Sequence, residues 1–478
     1  MNRIALSESI FTPASVAIAG VGDTNSGRQY LDSLLSAGFQ GRIYPLNPKG
    51  AEIAGFKVYR NMKDIPEAVD YVISCLPAPM VPQFIQDCSQ NEAKVVALFT
   101  AGFSELGSEE GRQLEWRISA LARANGIRII GPNCMGVYCP KVGLSFVHDF
   151  PKESGSVALV CQSGGNAIYF VRVAAERGVR FSKVVSYGNG CDIDESDLFD
   201  YLAQDDETKM VAAYIEGVKD GERFRQALSH LTARKPVIAL KAGCTQAGAR
   251  TATCHTGSLS GSSTVWNSLL QQAGAIQVQT LDEMIDMVVT FLFMPLPRGR
   301  GVAMVGFGGG ASVMATDSCS GHGFTVPPVP QTIGDEFCRL LRSQAGLILS
   351  NPIELNMPPQ ISYAATKALI TYDAIDLLLA NCVFGQHPWP VYDDLADRLC
   401  DTVLQISAEV EKPIAVVLNS HVTNTQGQFL SLRRRYCEAG LPVYYSVASA
   451  SQSINRLMQH HERQAFASMY DSRSTSVE

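Results

Sequence analysis

The sequence predicts an α/β chain of three consecutive open parallel-sheet domains. Three observations carry this. The 478 residues exceed the roughly 50–250 that one domain usually holds. Short β-rich runs alternate with helix-period segments along the chain, the pattern of parallel strands covered by helices on both faces. Many of the 40 glycines stand where a strand run gives way to a helical one, and such turns line the carboxyl edge of an open parallel sheet.

The elements follow in order. In the first domain, 1–147, the strand runs are SVAIA (15–19), RIYPLN (42–47), YVISCL (71–76), KVVALFT (94–100) and IRIIGP (127–132). Helical stretches lie between them, among them 27–37 and 108–125. HDFPKESG (148–155) reads as a linker into the second domain, 148–298. Its runs are SVALVC (156–161), KVVSYG (183–188), VAAYIE (211–216), PVIALKAG (236–243) and AIQVQT (275–280). A helix over 281–294 and the turn PLPRGR lead into the third domain, 299–463. There the runs are GVAMVGF (301–307), AIDLLLANCVF (374–384), PIAVVLNS (413–420) and LPVYYSV (441–447), and 464–478 reads as a polar tail.

Apolar residues make up 46% and charged residues 18%, with a net charge of -7. That balance excludes a basic field for nucleic acid or an anionic membrane. Phosphate binding must therefore rest on backbone N–H groups and single cations. The 13 cysteines include no C-x-x-C pair, and the closest, Cys134 and Cys139, lack metal-ligand spacing. Free thiols in a reducing compartment and no metal centre are expected. MNRIALSESI has no basic run before an apolar stretch, so no signal peptide is expected. The most apolar segment, 284–297, is broken by Asp286 and too short to span a bilayer. A cytoplasmic enzyme is the expectation.

Each domain opens on a glycine-rich turn. GVGDTNSG carries Gly20, Gly22 and Gly27, where a backbone without Cβ lets a pyrophosphate approach a helix N-terminus. The second strand ends PLNPKG rather than in Asp or Glu, the residue a ribose diol of NAD would need. Lys49 suits a ribose bearing an extra phosphate, as in NADP or coenzyme A. CQSGGN places Ser163, Gly164 and Gly165 before a helix, and GFGGGA repeats the theme at Gly308, Gly309 and Gly310. Such turns are anion nests, although a tight turn that serves packing predicts the same residues. No G-K-[ST] follows any of them, so no P-loop is present.

RTATCHTGSLSGS sets His255 among small residues. An imidazole attacks phosphorus when neutral and leaves when protonated. It needs a carboxylate to fix its tautomer, and Glu216 ends the strand run VAAYIE.

With HTGSLSGS and GPNCMG together, the chain resembles the α subunits of ADP-forming acetyl-CoA synthetases and, more distantly, of succinyl-CoA synthetases. IYPLNPKGAEIAG, AGFSELG and RIIGPNCMGVY resemble that family's CoA-binding domain. CQSGG, YIEGVKDGERF, PVIALKAG and HTGSLSGS resemble its ligase domain, and GVAMVGFGGGASVMATD with NPIEL its third domain. The resemblance spans residues 8 to 450. It implies a Rossmann-like CoA-binding domain followed by two flavodoxin-like ligase domains. It implies that His255 carries the phosphoryl group, that Glu216 orients it, and that Ser163, Gly164 and Gly165 cradle phosphate. Gly308, Gly309, Gly310 and Asn351 would support that phosphate. Coenzyme A would lie over Gly20, Gly22 and Ser26, with Pro45, Asn47 and Lys49 near its adenosine end. Pro77 and Asn133 would flank the pantetheine, and Cys134 would be a further residue of the cofactor site. GVGDTNSG departs from the family's more basic first loop, NPIEL from NPVDL, and Cys254 stands where serine is usual.

The resemblance further implies interconversion of acyl-CoA, ADP and phosphate with acid, CoA and ATP through an acyl phosphate and a phosphohistidine. All 478 residues fall in the three domains and tail, which leaves no ATP-grasp domain. A separate ATP-grasp β subunit holding ADP/ATP with Mg2+, in an α2β2 assembly, is expected. The motifs leave the acid, ADP or GDP, and the direction open. A non-catalytic CoA-binding scaffold and an NADP-dependent oxidoreductase are the alternatives; the retained Glu216 and His255 weigh against the first, PLNPK against the second.

Overall fold

The strand runs become three largely parallel sheets in the computed structural model. It describes residues 6, 8–50, 52–248, 250–251, 262–306, 308–331, 333–335, 350–355, 357–384, 394–420 and 426–474. These divide into two compact units, Met1–Ala175 with Val179–Met284, and Glu176–Gly178 with Ile285–Glu478. The first unit holds two sheets, and its end at Met284 falls inside the second expected domain, 148–298.

In the first sheet β1 (Ser15–Ala19), β2 (Arg42–Leu46), β5 (Tyr71–Ser74), β6 (Val95–Leu98) and β7 (Arg128–Ile130) run parallel in the order β2-β1-β5-β6-β7. Helix α1 (Ser26–Ala37) carries the chain from β1 to β2, whereas β5 takes the other side of β1. The crevice between β1 and β5 is therefore a topological switch point, where open sheets bind ligands. Helices α2 (Val81–Gln90) and α3 (Glu109–Ala124) cover one face, burying Phe84, Ile85 and Ile118 against Ala17, Val72 and Val96. The hairpin β3 (Glu52–Ile53) and β4 (Phe56–Lys57) escaped the sequence reading. Its turn holds Ala54 at φ 52° and Gly55 at φ 80°, an Ala-Gly pair where Asn-Gly or Asp-Gly is the usual signal.

The second sheet runs β13-β12-β11-β9-β10-β8. Its strands are β8 (Gly136–Tyr138), β9 (Ser154–Cys161), β10 (Phe181–Ser186), β11 (Met210–Ile215), β12 (Val237–Lys241) and β13 (Ile276–Val278). All are parallel except β8, which pairs antiparallel with β10. β8 falls within the stretch expected for the first domain, and β9 begins inside the expected linker.

The third sheet, β14 (Val302–Val305), β15 (Leu377–Phe384), β16 (Ile414–Ser420) and β17 (Val443–Tyr444), is parallel and laid down in sequence order. Both faces are buried. Ala303, Val305, Leu378 and Val416 face the helices Pro359–Thr371, Leu395–Ser407 and Gln426–Glu438. Val302, Met304, Leu379 and Val417 face Gly309–Gly321 and Val447–Ser474. Strands covered on both sides read as unbroken apolar runs, which is why LLLANCVF is legible. The final helix continues through 464–474, expected as polar tail; RQAFASMYDSR contains no glycine or proline to stop it. Among the described residues no helix is long and apolar enough to cross a membrane.

Buried charges tie the first two sheets together. Arg128 of β7 pairs with Asp192 at 2.8 Å and Asp197 at 3.1 Å, and Arg223 pairs with Asp194 at 3.1 Å. Beside them, at the start of helix α5 (Glu195–Gln204), Glu195 is buried. Burial, and secondly the charge of Asp194, pushes its carboxyl up to about 8. A folded pKa above the unfolded one, ~4.3, gives stability that is complete below that unfolded value. That stability is lost as pH rises through the folded pKa. The melting temperature should thus fall between about pH 4 and pH 8, and Glu195→Gln should flatten the fall. An unchanged slope in the Gln variant would contradict this.

Candidate active site at the carboxyl edges of the sheets

The second sheet has its own switch point. β9 leads through helix α4 (Gly164–Glu176) to β10 on one side, and β11 leads through helix α6 (Gly221–Thr232) to β12 on the other. Gln162 and Ser163 leave β9 and Glu216 leaves β11, so these residues flank the crevice between adjacent strands. The side-chain oxygen of buried Gln162 accepts the backbone N–H of Glu216 and of Gly217, the latter at 3.1 Å. Ser163 caps α4: its Oγ accepts from Asn166 N–H at 3.3 Å and its carbonyl from Ala167 N–H at 3.0 Å. The first N–H groups of a helix have no partner within it, so Gly164 and Gly165 can offer theirs to an anion. A Cβ at Gly165 would meet nothing within 4 Å, which leaves that face open.

Glu216 is 4% exposed, and its Oε1 accepts the Tyr214 hydroxyl at 3.2 Å. Lys241, which ends the neighbouring β12, donates to the Glu216 carbonyl at 2.7 Å. Its ammonium sits 5.0 Å from the Trp266 ring centre, and burial lowers its pKa. Gln162 and Lys241 thus fix the peptide on which Glu216 stands. The sequence reading missed both: Gln162 directly follows the run SVALVC and Lys241 lies inside PVIALKAG, so position near a strand's carboxyl end is the one available signal. His255 lies outside the described residues.

The first switch point is built differently. Gly20 sits at φ 85°, where a Cβ would press on the Cys75 carbonyl at 3.3 Å. Asn25 caps α1 and ties the loop, accepting from Gly22 N–H at 3.0 Å and Arg28 N–H at 3.1 Å while donating to the Gly20 carbonyl at 2.8 Å. Ser26 opens the helix. Asn47 closes the other wall, donating to the Val21 carbonyl at 2.7 Å and accepting Lys49 N–H at 2.9 Å. Beside this loop a cavity of about 230 Å³ runs from Gly20, Leu46 and Asn47 to Leu76, Met80 and Phe84. Arg60 lines it, a cation the sequence reading passed over. Lys49 and Arg60 are exposed, and neither forms an ion pair among the described residues.

Other expected contacts fall less directly on a ligand. Pro45 is buried inside β2 against Ile18, and Leu46 after it reaches the cavity. Pro77 is exposed just past β5. Asn133, at φ 58°, is half-buried and donates its N–H to the Thr100 carbonyl at 2.9 Å. Cys134 turns inward, its Sγ 3.4 Å from the Leu98 and Ile130 carbonyls, and burial pushes the thiol up to about 12. It therefore braces the loop as a neutral thiol.

In the second unit, Gly308, Gly309 and Gly310 are exposed at the start of Gly309–Gly321. A carboxylate already reaches that helix end: Glu354 accepts the Gly309 N–H, while burial raises its pKa. The buried Asn351 amide is committed to backbone, accepting from Met304 N–H at 2.9 Å and donating to the Val302 and Pro327 carbonyls at 2.8 and 3.0 Å. It holds the NPIEL loop to β14. The described residues contain no group of His, Cys, Asp and Glu that could hold a metal.

Known proteins resemble this chain over most of its length. The chain is 35% identical over 453 residues to the α subunit of acetate–CoA ligase [ADP-forming] II from Pyrococcus furiosus, a match covering 94% of this chain and 96% of that one. The chain belongs to the family of ADP-forming acetate–CoA ligase α subunits. The α subunit of isoenzyme I of that organism is 38% identical over 326 residues, covering 66% of this chain and 70% of that one. Residues 14–140 match a CoA binding domain and 154–291 a succinyl-CoA ligase like flavodoxin domain. The dinucleotide-forming acetyl-coenzyme A synthetase 1 of Ca. Korarchaeum cryptofilum, solved with phosphate and ADP, superimposes with a TM-score of 0.79 at 28% identity, over 97% of this chain and 98% of that one. The likeness to the first of these relatives and to this solved structure thus runs through all three sheets.

Proposed function

We propose that this chain is the CoA-ligase subunit of an ADP-forming acyl-CoA synthetase, acting through an acyl phosphate and a phosphohistidine at His255. The observation that carries the reading is the second switch point, where a helix-end anion nest at Ser163–Gly165 and the buried Glu216 flank one crevice. Phosphate held by the nest attacks the thioester carbon; the C–S bond breaks, CoA leaves and takes a proton, and an acyl phosphate forms. The His255 imidazole then attacks phosphorus and releases the carboxylate. The Glu216 charge stabilises the imidazolium, and the helix N-terminus stabilises the phosphoryl oxygens. ADP takes the phosphoryl group last, and the cycle runs equally in reverse.

The first-sheet cavity suits the adenosine end of CoA. Leu46, Met80 and Phe84 offer apolar walls, while Arg60 and Lys49 offer cations for its phosphates. The Asn133 loop then borders the pantetheine.

ADP with Mg2+ belongs in this reading to an ATP-grasp β subunit, within a cytoplasmic α2β2 enzyme. An acetate–CoA ligase [ADP-forming] of Methanocaldococcus jannaschii supports this: the match covers only 48% of it, leaving length for such a partner's counterpart. The isolated chain, given acyl-CoA, ADP and phosphate, should make no ATP, and adding the β subunit should restore synthesis. Steady ATP formation by the chain alone would overturn the division of labour.

A further inference from the structure

Met135 occupies a place where the CoA loop and the phosphate nest touch. It directly follows Asn133 and Cys134 and precedes β8. Its backbone is pinned at both ends: the N–H donates to Ser186 Oγ at 3.1 Å, and the carbonyl accepts the Tyr30 hydroxyl at 3.0 Å. Ser186 and Tyr30 are themselves buried. The half-buried side chain lies over the first residue of α4, so that a Cβ on Gly164 would come within 2.6 Å of Met135 Cγ and 3.5 Å of its sulfur. Glycine at 164 is thus what lets the thioether reach the nest.

We infer that Met135 forms the wall of the acyl pocket and sets the size of acid the enzyme accepts; this rests on the function proposed above. The reasoning is geometric. The thioester carbon must sit about 3–3.5 Å from an oxygen of the bound phosphate, while its sulfur arrives from the Asn133 side. The acyl substituent then lies beside the side chain bridging those two points. That side chain is apolar and unbranched, able to fill a gap against a short aliphatic acid. Charged or hydroxylated acids gain nothing from it.

Shortening Met135 tests this. In the assembled enzyme, Met135→Ala should raise the kcat/KM ratio of phenylacetyl-CoA over acetyl-CoA by roughly 10-fold or more, the scale a few methylenes command in an apolar pocket. Met135→Leu, which keeps the volume, should leave the ratio within about twofold. Calorimetry on the full chain with two inert thioethers, S-ethyl-CoA and S-phenethyl-CoA, gives the same comparison without turnover. Met135→Ala should move their affinity ratio in the same direction. Parallel changes for both thioethers, or none, would overturn the role of Met135. A wild-type enzyme that binds them but forms no ATP from any acyl-CoA would instead count against the function.

Discussion

Replacing His255 with asparagine should lower ATP formation from acyl-CoA, ADP and phosphate by about 10⁴-fold or more, the scale of losing a covalent nucleophile. The substitution keeps a small polar side chain but removes the nitrogen that takes the phosphoryl group. In the proposed order of steps the first half-reaction needs no such nitrogen, because phosphate held in the Ser163–Gly165 nest would attack the thioester directly. The variant should therefore still convert acyl-CoA and phosphate to acyl phosphate, trapped as the hydroxamate with hydroxylamine. Affinity for CoA should stay within about twofold, since the cavity proposed for it lies at the first sheet rather than the second. Loss of acyl phosphate together with ATP would mean that His255 acts before phosphorus is transferred, and the proposed order of steps would be wrong.

Glu216→Gln should lower kcat by about 10²–10³-fold, the range for removing one group that stabilises developing charge. Glutamine preserves the shape, and an amide oxygen can still accept the Tyr214 hydroxyl. The Gln162 and Lys241 contacts are to the Glu216 backbone and should survive intact. What disappears is a buried carboxylate, placed where water screens little, and with it, on the proposed mechanism, the stabilisation of the imidazolium. KM for acyl-CoA should change less than about threefold if, as proposed, the group acts on the transition state rather than on binding. A kcat near wild type, or a loss confined to KM, would remove Glu216 from the chemistry.

Much of this is legible in the sequence. Parallel strands covered on both faces appear as apolar runs, and IAVVLNS or SVALVC could hardly be anything else. Glu216 stands out because it ends such a run, and the nest because glycines follow one. The misses share a cause, namely contacts between segments distant in the chain. Three residues of β8 look like loop until β10 is beside them. The NPIEL motif points Asn351 at a ligand, yet its amide is consumed by Val302, Met304 and Pro327. Glu354, two residues past the proline in that motif, is what reaches the glycine loop. Arg60 follows no motif; it reaches the cavity because the short β3–β4 hairpin folds the chain back, with Tyr59 bonded to Pro45. Cys134 lies in a motif that the resemblance sets against the cofactor, while its thiol faces two carbonyls that only the fold brings beside it.

The most direct measurement follows one phosphorus atom. The assembled enzyme is given acyl-CoA and labelled phosphate without ADP, digested under alkaline conditions, and its peptides are analysed by mass spectrometry. The account predicts one acid-labile phosphoryl group, on His255, which disappears when ADP is added as ATP forms. ATP appearing at full rate while His255 stays unmodified throughout turnover would contradict it.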